Sequence, residues 1–384
     1  MKDQRSGKGV LDGLKVADFT MMMAGPLATR YLADMGADVV KIESPDGDYI
    51  RTRHPKRGES STYFGQINAG KRSIALDLAD PADLEVAKAI IAQSDILAEN
   101  FRPGVMARFG LDYESVRAIN PRIIYCSVSG YGVTGPGAKR PAFAQIVQAA
   151  SGYDQAFMGY QDKADRPPNS MLFVADAMGA SFAFSGILAA LYHRDRSGEG
   201  QYVDVTLLES MLQLMVYEIQ EAQFPATEIR PLFRPLKTSD GYVMITPTSQ
   251  RNFEHAARAM GHPEWISDDR FAATGNRHKN WSTLYELMEA WTIKRPSSDC
   301  ETELNHGGVP CSRYKSVKEA LDDPQLEALG SMARVIDDEG AFLIPNLPFR
   351  MSASRVHAQN FVSGLDADRD IILAEVAQHD RQRA

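Results

Sequence analysis

The sequence predicts a doubly wound α/β domain joined to a smaller α+β domain. Short β-branched runs alternate with helix-length segments through the first two hundred residues. One apolar run, Leu172–Tyr192, holds twenty-one residues and a single charge, Asp176. A polar, proline-bearing stretch at 224–235 then breaks the pattern, before a hairpin signal at Ser239-Asp240-Gly241.

Leu14–Phe19 reads as a first strand, and Met21–Gly25 as the loop after it. Pro26 suits the first position of a helix reaching Met35. Gly36 closes it, and Ala37–Glu43 is the next strand. Ser73–Asp77 is a third strand, with a helix opening at Asp80-Pro81 and running to Gln93. Strands at Asp95–Glu99 and Arg122–Ser129 flank short helices at Pro103–Phe109 and Tyr113–Ile119. A long helix follows Asp176 to about Arg194, then a strand at Gln201–Val205 and a helix at Leu207–Ala222. Beyond the linker, Tyr242–Ile245 is a strand, and Phe253–Met260, Thr283–Trp291 and Val317–Leu321 are helical. A last helix falls near 368–380.

Composition excludes several classes of function. The chain has 384 residues, 44% hydrophobic and 24% charged, with net charge −8, as expected of a soluble globular protein. No basic tail or stripe marks a nucleic-acid partner. The N-terminal MKDQRSGKGVLDG has no apolar core of a secretory signal. The Leu172–Tyr192 run is long enough to span a bilayer. Its charge, two Gly and two Ser make it a buried helix, so no membrane is expected. Cys126, Cys300 and Cys311 have no metal-ligand spacing, which predicts no metal and reduced thiols in the cytoplasm. Arg51, Arg53, Lys56 and Arg57 form one basic cluster, and Lys71 with Arg72 another. Such clusters are solvated faces unless a phosphate meets them.

Gly130-Tyr131-Gly132-Val133-Thr134-Gly135 matches GxGxxG after a predicted strand. A dinucleotide fingerprint needs a helix next, to present its amides to the pyrophosphate. Pro136, Gly137 and Pro141 follow instead, so a nicotinamide cofactor is not expected.

Asp176 stands at the start of the long helix, whose Gly179, Ala183, Gly186 and Ala190 share one face. That bare face admits another backbone or a flat ligand. Asp176 itself reads either as an N-cap or as a nucleophilic carboxylate. A cap position would also keep it ionised.

Four segments resemble the family III CoA-transferases (CaiB/BaiF family, formyl-CoA transferase-like): residues 11–48, 68–78 (NAGKRSIALDL), 99–132 (ENFRPGVMARFGLDY…) and 175–210 (ADAMGASFAFSG…). The resemblance implies a Rossmann-like large domain of residues 1–200 completed by about 326–384. It further implies a linker helix region at 201–225, a small domain at 226–325 and an interlocked homodimer. Asp176 would be the nucleophile, passing through an aspartyl anhydride and an aspartyl-CoA thioester. The coenzyme A thioester is a substrate, with no resident cofactor, and the second substrate is a free carboxylic acid. CoA contacts would fall on Met23, Ala24, Ser44, Leu76, Asp77, Leu78, Asn100, Phe101, Arg102 and Arg108.

This chain departs from formyl-CoA transferases in three places. Met23 replaces a glutamine, which argues against oxalate-type recognition. The stretch ITPTSQRNF at 245–253 lacks the glycine run of the family's lid. Pro141–Gln145 lacks the histidine of the related racemases, so a two-base proton exchange is disfavoured. Met23 and Phe143 are expected at the acyl pocket, suiting a partly apolar acid such as a C4–C5 dicarboxylate. The readings that remain beside transfer are a racemase or isomerase of the same family and a non-catalytic CoA-binding protein.

Overall fold

The structure is a computed structural model and describes residues 7–162, 164–225 and 232–383. Two compact units divide it: Met1–Ile219 with Gln325–Ala384, and Gln220–Pro324. Part of the expected linker, residues 226–231, lies outside the described residues, as do residues 1–6.

Six parallel strands build the first unit: β1 (Lys15–Asp18), β2 (Asp38–Glu43), β3 (Lys71–Ala75), β4 (Ile96–Glu99), β5 (Ile124–Ser129) and β6 (Gln201–Thr206). Their order is β3-β2-β1-β4-β5-β6. The order reverses between β1 and β4, which opens a crevice at the carboxyl ends of those strands. Alternate side chains enter opposite layers. Val16, Val39, Ile96 and Ile124 join the core beneath the helices Ala24–Asp34 and Val174–Ser197. Ala17, Val40, Leu97 and Tyr125 join the core beneath Pro81–Ala92 and the C-terminal helix Arg369–Arg383.

Local chemistry explains the boundaries. Asp80 accepts the amides of Ala82 and Asp83 at 2.8 and 3.1 Å, and Pro81 takes the first helical position. The first helix begins at Ala24, earlier than Pro26, so the proline sits inside the first turn, where its missing N–H costs nothing. The predicted helix Leu207–Ala222 divides into Leu207–Leu212 and Val216–Gln223. Residues 201–225, expected as a linker helix region that begins with a strand at Gln201–Val205, supply the sheet's sixth strand and these two helices.

The bare face of the long helix receives protein. A side chain at Gly179 would lie 2.4 Å from Leu207 Cδ2, and one at Gly186 would lie 2.9 Å from Val203 Cγ1. The same helix packs on the first helix, with Phe184 edge-on to Tyr31. Its opposite face is open, with Phe182 and Tyr192 exposed.

The second unit pairs Leu236–Lys237, Tyr242–Ile245 and Cys311–Arg313 in a three-stranded antiparallel sheet. Helices cover it around a core that includes Phe253, Phe271, Leu284 and Trp291.

Candidate active site

At the switch point, the loop after β1 is held from three directions. Asn100, at the end of β4, accepts the Met21 amide at 2.8 Å and donates to the Met21 carbonyl at 2.7 Å. The Lys41 ammonium donates to the Thr20 carbonyl at 2.7 Å. Asp48 accepts the Met22 amide at 3.2 Å and pairs with Lys41 at 3.2 Å. Lys41 and Asp48 are both buried. These bonds fix Met22 at φ +65°, a left-handed conformation that costs an ordinary residue about 1–3 kcal/mol. Gly25 completes the turn, because a Cβ there would stand 2.5 Å from Thr20 Cβ. Residues 21–24 are thereby presented along one wall of a cleft.

The cleft has a volume of about 1270 Å³ and continues past Phe101, Phe143, Tyr63 and Asp176. It exceeds the roughly 300–1,000 Å³ typical of a drug-sized ligand. A second cavity of about 250 Å³ adjoins it, sharing Met21 and Phe101.

Asp176 is the third residue of its helix and does not cap it. Phe173 occupies the cap position and its side chain makes no capping bond. Gln148, fully buried on the helix Ala144–Ala150, supplies the acceptor from outside. Its Oε1 lies 3.1 Å from Val174 N and 3.4 Å from Ala175 N, and its Nε2 donates to Ser170 Oγ at 3.1 Å. The expectation that capping satisfies Asp176 is thus corrected. Among the described residues its carboxylate accepts no hydrogen bond and forms no ion pair. Burial alone pushes its pKa up to about 6. Tyr63 stands beside it, parallel to Phe173 with ring centroids 6.1 Å apart. Burial, then the charges of Asp176 and Asp48, push the Tyr63 phenol up to about 12. A carboxylate so placed is ionised at neutral pH and carries no bond that an electrophile must first displace.

The residues named from the sequence fall into three groups. Met23, Ala24, Asn100, Phe101, Arg102, Phe143 and Asp176 line the large cleft. Ser44, Leu76, Asp77, Leu78 and again Phe101 line the second cavity. Arg108 is exposed and lines neither. The Asn100 amide is committed to Met21, so it shapes the loop through both of its polar atoms. Gly130–Gly135 runs into a loop, and the next helix begins only at Ala144.

Sequence reading missed Gln148, Asp48, Lys41, Tyr63 and His54, and noted Arg53 only as one member of a basic cluster. Gln148 is one of two glutamines in a short helix, and Lys41 is one of three charged residues in its strand, so neither has a local signal. His54 lines the cleft from a loop, away from the segment where a racemase histidine was sought.

Comparison with known proteins places the chain in a family. The family model described as CoA-transferase family III matches residues 11–362. The chain is 36% identical over 357 residues to an acetyl-CoA:oxalate CoA-transferase of Acetobacter aceti, covering 90% of each chain. It is 35% identical over 359 residues to a succinyl-CoA–D-citramalate CoA-transferase of Chloroflexus aurantiacus, covering 90% of this chain and 88% of that one. The crystal structure of a CaiB/BaiF family protein from Brucella suis superposes with a TM-score of 0.85 at 31% identity, over 96% of this chain and 100% of that one. The chain belongs to the family III CoA-transferases. It is an enzyme that moves CoA from an acyl-CoA donor to a carboxylic acid.

Proposed function

We propose that Asp176 is the covalent nucleophile of this transfer. The observation that carries the reading is a carboxylate that accepts no hydrogen bond among the described residues, in the wall of a large cleft, on a helix whose cap comes from Gln148. Asp176 attacks the donor thioester carbonyl, forming an aspartyl–acyl anhydride and releasing CoA thiolate. The thiolate attacks the aspartyl carbonyl of the anhydride, forming an aspartyl-CoA thioester and freeing the donor acid. The acceptor carboxylate attacks that thioester, and the thiolate then takes the new acyl group and releases Asp176. A carboxylate serves where Ser or Cys would not, because an anhydride is activated enough to exchange with a thioester.

CoA lies across both cavities in this reading. Leu76, Leu78 and Phe101 offer an apolar seat for the adenine in the second cavity, while Ser44 and Asp77 supply polar rims. Arg102 and the exposed Arg108 suit the phosphates. The pantetheine arm passes Met21 and Phe101, shared by the two cavities, toward Met23, Ala24 and Asp176. Met23 and Phe143 give the acyl region an apolar character. The names of the relatives, oxalate and D-citramalate, favour a small dicarboxylic acid as acceptor, and oxalate stays among the acids to test.

The working form is a homodimer. Phe182, Tyr192, Leu212, Leu214 and Val216 are exposed on one unit, an apolar surface that a second chain would cover. Free Cys126, Cys300 and Cys311 support a reducing, cytoplasmic setting.

The test incubates the protein with succinyl-CoA and a panel of free acids, and measures new acyl-CoA by chromatography. The wild type should convert C4–C5 dicarboxylic acids, and Asp176→Ala should convert none. Full transfer by Asp176→Ala overturns the assignment.

A further inference from the structure

The structure sorts the two basic clusters noted in the sequence. Arg51 pairs with Glu43 at 2.6 Å, Lys56 with Glu59 at 3.2 Å and Arg57 with Asp337 at 2.7 Å. Lys71 pairs with Asp18 at 2.9 Å and Arg72 with Asp38 at 2.6 Å. Among the described residues Arg53 alone of the six has no carboxylate, and it lines the cleft that holds Asp176.

Arg53 is also well supported. It ends the short helix Tyr49–Thr52, which Asp48 caps through the Ile50 amide at 3.2 Å and which Ile50 anchors in the core. Its guanidinium lies over the Tyr49 ring, 3.7 Å from the centroid. Two residues on, the Pro55 carbonyl accepts the Thr62 amide at 2.9 Å and the Thr62 hydroxyl at 3.0 Å. Thr62 adjoins Tyr63, which feels the charge of Asp176. Arg53 therefore stands on the Tyr63 side of the cleft, while among the described residues no basic group draws down the Asp176 carboxyl. A cation in the same cleft but apart from the nucleophile suits an acid whose two carboxylates are separated by a short carbon chain.

We propose that Arg53 binds the second carboxylate of a dicarboxylic acceptor, orienting the first toward Asp176. The planar guanidinium accepts a carboxylate through two parallel hydrogen bonds, and the Tyr49 ring holds it in place. Arg102 sits beside Phe101 at the junction with the second cavity, where a CoA phosphate competes for it. Arg140 lies over Tyr131, on the loop that precedes Phe143, and is the rival to be tested.

The inference rests on the aspartyl-CoA reading above, and the experiment separates the two. The enzyme–CoA thioester is formed from an acyl-CoA, freed of small molecules and discharged with graded glutarate or butyrate. The readout is the preference for glutarate over butyrate, taken as the ratio of half-saturating concentrations. Arg53→Gln should lower that preference about tenfold, and Arg53→Lys should lower it less. A preference within about twofold of wild type in Arg53→Gln overturns the proposal, as does a shift produced by Arg140→Gln in its place. A weakened acyl-CoA loading step with the preference unmoved assigns Arg53 to a CoA phosphate and also overturns it. If the wild type forms no thioester at all, the aspartyl-CoA reading fails first and the inference with it.

Discussion

Gln148 caps the helix that carries Asp176, across 26 residues of sequence, with its Oε1 3.1 Å from Val174 N. Capping by a neighbouring element satisfies the helix amides and leaves the acidic residue of the first turn unbound. Gln148→Leu should remove this acceptor and orphan the buried Ala175 amide, while the Val174 amide keeps the Leu172 carbonyl at 2.9 Å, at a cost of about 1–3 kcal/mol in stability. Asp176 sets the acid limb of the pH profile. Gln148→Glu supplies an acceptor but adds a charge near Asp176, and should move that limb up. Urea denaturation and pH profiles of thioester formation read both effects.

Asp176 should be a liability to the fold that serves the reaction. Its folded pKa, about 6, lies above the ordinary aspartate value of 3.8. A carboxyl raised by folding binds its proton more tightly in the native state, so native stability falls as pH rises from about 4 to about 6. Asp176→Asn escapes this loss. It should exceed wild type by about 1–3 kcal/mol at pH 8 and by little at pH 3.5, where both states of the wild type are mostly protonated. Equal stability of the two proteins at pH 8 contradicts a half-buried carboxylate that has no partner among the described residues.

The same titration governs chemistry. Only ionised Asp176 attacks a thioester, so the loading rate should rise through pH 6 and level off near neutrality. Stopped-flow loading between pH 5 and 8 checks this, and Asp176→Glu helps to assign the limb. A rate independent of pH across that range places the ionisation elsewhere.

The buried Lys41–Asp48 pair holds the Met22 turn. Asp48→Ala leaves the buried Lys41 without its ion-pair partner and should cost about 3–5 kcal/mol. Met22→Gly removes the penalty of a left-handed methionine while keeping the amide bond to Asp48, so it should be neutral or stabilising by up to about 1 kcal/mol. Thermal denaturation of the two variants separates strain from pairing. A strongly destabilised Met22→Gly would mean that side-chain packing, not backbone conformation, fixes the turn.

Much of the large domain was legible in the sequence. β-branched runs between Asp-Pro and Gly punctuation placed its strands, because those residues act locally. Asp176 stood out because one charge in an apolar run demands an explanation. What decided its role was not local. Gln148 caps a helix from another element, and Asn100 and Asp48 hold Met21 and Met22 from 79 and 26 residues away. Arg53 differed from its neighbours only in lacking a partner, which a sequence does not display. The bare face of the long helix was legible as bare, but not its occupants, Leu207 and Val203.

The most direct measurement is an intact mass of the protein after exposure to an acyl-CoA, with peptide mapping after hydroxylamine treatment. The wild type should gain the mass of a CoA thioester, and hydroxylamine should convert Asp176 alone to its hydroxamate. Asp176→Ala should gain nothing. Modification of any other residue, or an adduct that persists in Asp176→Ala, contradicts the account.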